Sequence, residues 1–127
     1  MKPKSWSTRL RKRSGRKSPD GPVGTVAFYG PDNRHASKVV VGIAARPGAK
    51  VSELKRWFEN RLDVRRDPQI GREVTAFLRA HRVRNVAVAE GIIGCPHEEG
   101  VDYPEGAECP ECPFWRGKDR FEHAVPE

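Results

Sequence analysis

All three cysteines of this 127-residue chain, and one of its four histidines, fall between Gly94 and Trp115. The stretch runs Gly94-Cys95-Pro96-His97-Glu98-Glu99-Gly100 and on to Cys109-Pro110-Glu111-Cys112-Pro113-Phe114-Trp115. The 11-residue loop between its halves is rich in Pro, Gly and acidic residues, so burial of apolar surface cannot offset the entropy of ordering it. Something else must hold it. Cys95, His97, Cys109 and Cys112 make a Cys3His set, the donor chemistry of a tetrahedral zinc site.

The spacing suits that role. Cys109 and Cys112 are three apart, so the turn between them brings both sulfurs to one side of a single ion, and Pro110 stiffens that turn. Cys95 and His97 are two apart, which in an extended backbone projects both side chains the same way. Pro113 stands where a zinc knuckle usually continues with Gly. It fixes φ and removes a donor, so the chain must leave the turn differently. His123 is the spare fourth ligand, 11 residues beyond Cys112, and His97 is preferred.

Other chemistries fit less well. A redox Cys-x-x-Cys needs surroundings that favour thiolate, but seven acidic residues lie between Glu90 and Glu111 and no Lys or Arg occurs from Asn85 to Trp115. Calcium would require EF-type oxygen spacing, which is missing. Cysteines acting as small buried hydrophobes would need apolar neighbours that the stretch lacks. His97-Glu98-Glu99 followed by Cys109-Pro110-Glu111-Cys112 imitates the zinc deaminase signature, in which a Glu moves protons. Against it, only nine residues separate Glu99 from Cys109, Glu108 rather than Pro precedes the pair, and Cys95 would close the site to water. An enzyme would use Glu98 or Glu99 as base and His97 as ligand or acid/base, with Tyr29 and Asp32 bordering the same sheet edge.

The net charge of +7 suggests a polyanion partner until its location is traced. Residues 1–20 hold Lys2, Lys4, Arg9, Arg11, Lys12, Arg13, Arg16 and Lys17 against Asp20 alone, whereas residues 21–127 hold 16 basic and 16 acidic residues. The excess therefore belongs to an arm. That arm shows no apolar periodicity and ends in Ser18-Pro19-Asp20-Gly21-Pro22, which reads as flexible. Such segments contact nucleic-acid phosphates without sequence specificity, or serve only as solvated tails. No RNP aromatics, recognition helix or finger pattern supports base readout. Three cysteines cannot pair completely, no apolar h-region follows the basic N-terminus, and no run approaches the roughly 18 apolar residues of a membrane span. A reducing cytoplasm is the expected compartment.

Thr25 to Tyr29 is β-rich and ends at the turn Gly30-Pro31-Asp32-Asn33. With the apolar run Lys38 to Ala44 it predicts an antiparallel pair. Leu54, Trp57, Phe58 and Leu62 fall at i, i+3, i+4 and i+8, which predicts a first helix. Asp67-Pro68 opens a second, carrying Ile70, Val74, Phe77 and Leu78 to about His81. Arg61, Arg65 and Arg66 read as a solvated face. Asn85 to Glu90 is a third strand, and the metal stretch begins past its carboxyl end, where open α/β sheets place their sites. The expectation is an α/β fold with a small three-stranded sheet of sequence order β-β-α-α-β, a right-handed helical crossover between its second and third strands, and a C-terminal Cys3His zinc loop. Residues 1–24 form a flexible basic arm, 25–93 a small α/β domain, and 94–127 a zinc-binding loop and irregular tail packed on the same domain.

Phe28-Tyr29-Gly30-Pro31-Asp32, Lys38-Val39-Val40-Val41-Gly42-Ile43, Asp63-Val64-Arg65 and Gly94-Cys95-Pro96-His97-Glu98-Glu99-Gly100-Val101-Asp102-Tyr103-Pro104 together resemble a family of small uncharacterised bacterial proteins of zinc-binding type. The likeness spans residues 25–120 and implies no activity. It also implies that residues 1–20 are an extension, or the result of a start codon placed too far upstream. The sequence thus points to a non-enzymatic zinc-binding module whose basic arm contacts nucleic acid non-specifically, with no membrane involvement and its protein partner unspecified. The alternative is a zinc-dependent hydrolase or deaminase-like enzyme using His97 and Glu98 or Glu99.

Overall fold

The computed structural model describes residues 5–13, 21–98, 100–107 and 109–115. Val23–Tyr29 (β1), Lys38–Ala44 (β2), Val51–Phe58 (β3) and Asn85–Ile92 (β4) make one mixed sheet in the order β3-β2-β1-β4. β1 and β2 pair antiparallel as predicted, with Val26 opposite Val41 and Phe28 opposite Val39. These residues alternate along their strands, so one face presents Val26, Phe28, Val39, Val41 and Ile43 to the core. The helix Pro68–Ala80 (α2) covers that face with Ile70, Val74 and Leu78. Its start is the predicted one: Asp67 Oδ1 accepts from the N–H groups of Gln69 and Ile70, and Pro68 occupies the first turn.

The predicted first helix does not form. Val51–Phe58 is a fourth strand, paired antiparallel with β2 so that Trp57 stands opposite Val39. Arg46-Pro47-Gly48, with Gly48 at φ 82°, turns the chain back along β2, whose outer backbone groups then gain partners. Pairing outweighs a stripe of four apolar residues, because a short run of that kind fits either period. The sheet therefore has four strands rather than three, in the sequence order β-β-β-α-β. A single long helix, α2, links β3 on one edge to β4 on the other. The parallel neighbour of the last strand is consequently β1, not β2.

The N-terminal segment also departs from expectation, since Trp6–Arg13 forms a helix (α1) within the stretch read as a flexible arm. Eight residues are marginal as an isolated helix. Docking supplies the rest: Trp6 Nε1 donates to the Val64 carbonyl at 2.6 Å, and the Trp6 and Phe28 ring centroids lie 5.8 Å apart. Trp6 also packs on α2, close enough that a Cβ at Gly71 would come within 2.6 Å of Trp6 Cγ. Lys2, Lys4, Arg16, Lys17 and His123 lie outside the described residues. Among those described, no helix is long and apolar enough to cross a membrane.

Asp63 joins the loops beneath this docking site. Its carboxylate accepts from the Ala36 and Arg65 N–H groups at 3.0 Å each, and from Arg65 Nε and Nη2 at 2.8 and 2.7 Å. Arg65, read as solvated, is thus half of a forked ion pair. Burial by itself would raise the Asp63 pKa, but the Arg65 fork and the two backbone donors outweigh it and hold the carboxyl below its usual value. A depressed folded pKa contributes stability that is present above the unfolded pKa and lost as pH falls through the folded one. Asp63→Asn should cost about 1–3 kcal/mol at neutral pH. In urea titrations the gap from wild type should narrow below about pH 4.

Candidate metal centre

β4 delivers the chain to the site, and Gly30 fixes where it arrives. The Ile93 N–H donates to the Phe28 carbonyl and the Gly30 N–H to the Gly94 carbonyl, both at 2.9 Å, so pairing persists to the residue before Cys95. At the far end Pro113–Trp115 forms a 3-10 turn, and the buried Trp115 donates its Nε1–H to the Gly30 carbonyl at 2.8 Å. Both ends of the metal stretch are thereby tied to one residue. A side chain at Gly30 would run into the His35 carbonyl, so only glycine fits. Pro113 opens the exit turn, where its fixed φ is favourable and its missing N–H costs nothing.

Between these ties the four donors converge as the sequence predicts. His97 Nδ1 lies 3.3, 3.4 and 3.5 Å from the Sγ atoms of Cys95, Cys109 and Cys112, and all four ligand atoms fall within 4.8 Å of one another. A tetrahedral ion with metal–sulfur bonds of about 2.3 Å and a metal–nitrogen bond of about 2.0 Å requires nitrogen–sulfur edges of about 3.5 Å. The cluster is therefore already close to the size such an ion needs, and the set could hold a metal ion. The His97 N–H also donates to Cys95 Sγ at 3.3 Å. Glu111 Oε2 lies 3.1 Å from His97 Nε2. A proton on Nε2 donated to that carboxylate leaves the Nδ1 lone pair for an ion.

Burial pushes the Cys95 thiol up from its ordinary pKa, and the net effect of its sulfur neighbours does not undo this. It raises Cys112 further, with Cys95 and Cys109 adding to the shift because a second thiolate beside the first is unfavourable. Burial and mutual repulsion thus disfavour the thiolates of Cys95 and Cys112, and a bound cation reverses that penalty. The cysteines are free rather than joined as a disulfide.

Charge also anchors the loop to the sheet. Glu98 Oε1 accepts from Arg56 of β3, at 2.9 Å from Nε and 2.7 Å from Nη2, and lies 3.7 Å from Lys38 Nζ. Lys38, only 3% exposed, donates to the Pro96 carbonyl at 2.9 Å and sits 5.5 Å from the Tyr29 and Phe58 ring centroids. A buried ammonium is tolerable there because carbonyl, carboxylate and two aromatic faces surround it. Within the loop, the Glu98 N–H donates to Asp102 Oδ2 at 2.7 Å, and Gly100, at φ 83°, donates to the Tyr103 carbonyl at 2.7 Å. Glu99 and Glu108 lie outside the described residues. Asp32 folds its own turn instead of facing the ligands: it accepts from the Arg34 and His35 N–H groups, which hold its pKa low.

The chain matches no family model, no curated protein and no solved structure. Sequence reasoning found all four donors but missed Gly30, Lys38, Arg56, Glu111 and Trp115. The Gly30-Pro31 turn and Trp115 at the end of the motif were visible as neighbours in sequence. Their contact across 85 positions was not.

Proposed function

We propose that this chain is a small zinc protein in which the metal is structural, and that it works as a non-enzymatic interaction module of a reducing cytoplasm. The convergence of His97 Nδ1 with three buried sulfurs carries this reading, because four protein donors fill a tetrahedron and leave no position for substrate or water. Thiolate and imidazole ligands suit zinc over the hard cations. Glu98, the candidate base of an enzyme, is already committed to Arg56 and Lys38. That commitment favours a supporting role over proton transfer. Metal analysis should give one zinc ion per chain, and chelation should lower the melting temperature by on the order of 10 °C. A chelated protein that melts as before, having lost only a hydrolytic or deaminating activity, would establish the enzyme instead.

The partner best supported is nucleic acid, engaged through phosphates by the basic N-terminal segment. α1 carries Arg9, Arg11, Lys12 and Arg13, and Arg72 and Arg79 of α2 line one groove with Trp6 and Leu10. Charge is also segregated along the chain, with 21 basic and seven acidic residues in 1–84 against seven acidic and no basic ones in 85–115. Deleting the segment would remove Trp6 from its site, so the better test keeps the helix and replaces Arg9, Arg11, Lys12 and Arg13 by Gln. Fluorescence anisotropy on duplex DNA should show sequence-insensitive binding whose log K falls by about 0.9 per phosphate contact per decade of salt, with a shallower slope in the variant. Equal affinity and slope in both proteins would exclude α1 as the contact.

A further inference from the structure

Strand β3 forms one edge of the sheet, and among the described residues no strand lies beyond it. α1 lies beside the opposite edge strand, β4. Natural edge strands are usually short, interrupted by Pro, or guarded by charge. β3 runs for eight residues without Pro and exposes Val51, Leu54 and Phe58 at 54%, 47% and 64%. Val51 and Leu54 close over Gly42 on the face away from α2. Its charged residues on the other face are Glu53 and Lys55, one of each sign.

The orientation of the free backbone groups follows from the ladder. The Glu59 N–H donates to the Ser37 carbonyl at 2.9 Å, and Phe58 stands opposite Lys38. Alternate residues of an antiparallel strand bond to the same neighbour, so Glu53, Lys55 and Trp57 turn their amides toward β2. Leu54, Arg56 and Phe58 turn theirs outward.

We propose that two copies of this chain associate through β3, pairing antiparallel about a two-fold axis at Leu54, so that two four-stranded sheets become one. In this register Leu54 faces Leu54 of the second copy as a hydrogen-bonded pair. Glu53 then faces Lys55 of the second copy, and Lys55 faces its Glu53, in the non-hydrogen-bonded positions where side chains approach most closely. A shift by two residues one way sets Lys55 against Lys55, and the other way sets Glu53 against Glu53. A shift by one turns the apolar face of one copy to the opposite side from the other. The charges that would guard a lone edge thus select a single pairing with a second copy.

The test uses the full, metal-loaded chain in sedimentation equilibrium. Wild type should show twice the 14.3 kDa mass of one chain at micromolar concentration. Glu53→Lys and Lys55→Glu each convert two attractive cross-strand pairs into repulsive ones, and should each weaken the dimer by about tenfold or more. The double exchange Glu53→Lys/Lys55→Glu should restore it, and the two single variants, mixed, should form a heterodimer. Both side chains are exposed, so circular dichroism and metal content should stay unchanged. Lys55 also lies 5.1 Å from the Trp57 ring centroid, so Glu53→Lys is the cleaner single variant should Lys55→Glu lose stability. A wild type that remains monomeric, a dimer indifferent to both reversals, or a failure of both rescues overturns the proposal.

Discussion

Cys109→Ser is expected to empty the metal site and loosen the chain from Gly94 to Trp115. Serine keeps the size of the side chain but offers no thiolate, so the ion loses one of four donors and the remaining thiols lose the charge that lets them ionise. Structural zinc contributes on the order of 10–16 kcal/mol of apparent binding free energy in small zinc-dependent folds. Losing a ligand should therefore release the ion at neutral pH and lower the melting temperature as far as chelation does. Emission spectrometry of the purified variant, beside thermal melts of wild type with and without chelator, checks this directly. His97→Gln should behave like Cys109→Ser, whereas His123→Gln should keep its zinc. The reverse pattern would move the fourth ligand to His123. Because burial raises the Cys95 and Cys112 thiols in the metal-free site, metal entry must expel protons, and affinity should fall as pH falls.

Gly30→Ala is the second substitution expected to have a large effect, although it touches no ligand. A Cβ there would overlap the His35 carbonyl, so the turn after β1 must shift. That turn supplies the N–H bonded to Gly94 and the carbonyl bonded to Trp115, one tie at each end of the metal stretch. Strain plus two disturbed hydrogen bonds should cost roughly 3 kcal/mol. Zinc should then leave faster than from wild type when a chelator is added in excess. Trp115→Phe probes the second tie alone, since it keeps a buried aromatic ring while removing the N–H donor together with part of the indole volume. It should cost about 1–2 kcal/mol, through the unsatisfied Gly30 carbonyl. A Gly30→Ala protein with unaltered melting and release rate would show that the two ties do not support the site.

Much of the molecule was readable locally. The β1–β2 pair followed from two apolar runs around the Gly30-Pro31-Asp32-Asn33 turn, and α2 from the Asp67 cap with Pro68 and the spacing of Ile70, Val74 and Leu78. The donor set followed from chemistry and spacing, because metal ligands must be particular residue types a few positions apart. Each of these signals lies within about twenty consecutive residues.

The tertiary structure decided what depended on a partner surface. Leu54, Trp57 and Phe58 satisfy a helical stripe as well as a strand, and only the unpaired edge of β2 chose between them. Trp6–Arg13 has too little cooperativity to be helical by itself, and becomes so because Gly71 leaves room for Trp6 and the Val64 carbonyl accepts its N–H. Gly30 looked like an ordinary turn glycine until β4 and Trp115 both arrived at its peptide group. The sequence by itself determined which residues could offer donors to a metal, since that is written in residue identity. Where those atoms would be held was settled only by contacts between distant segments, whose energies no local pattern records.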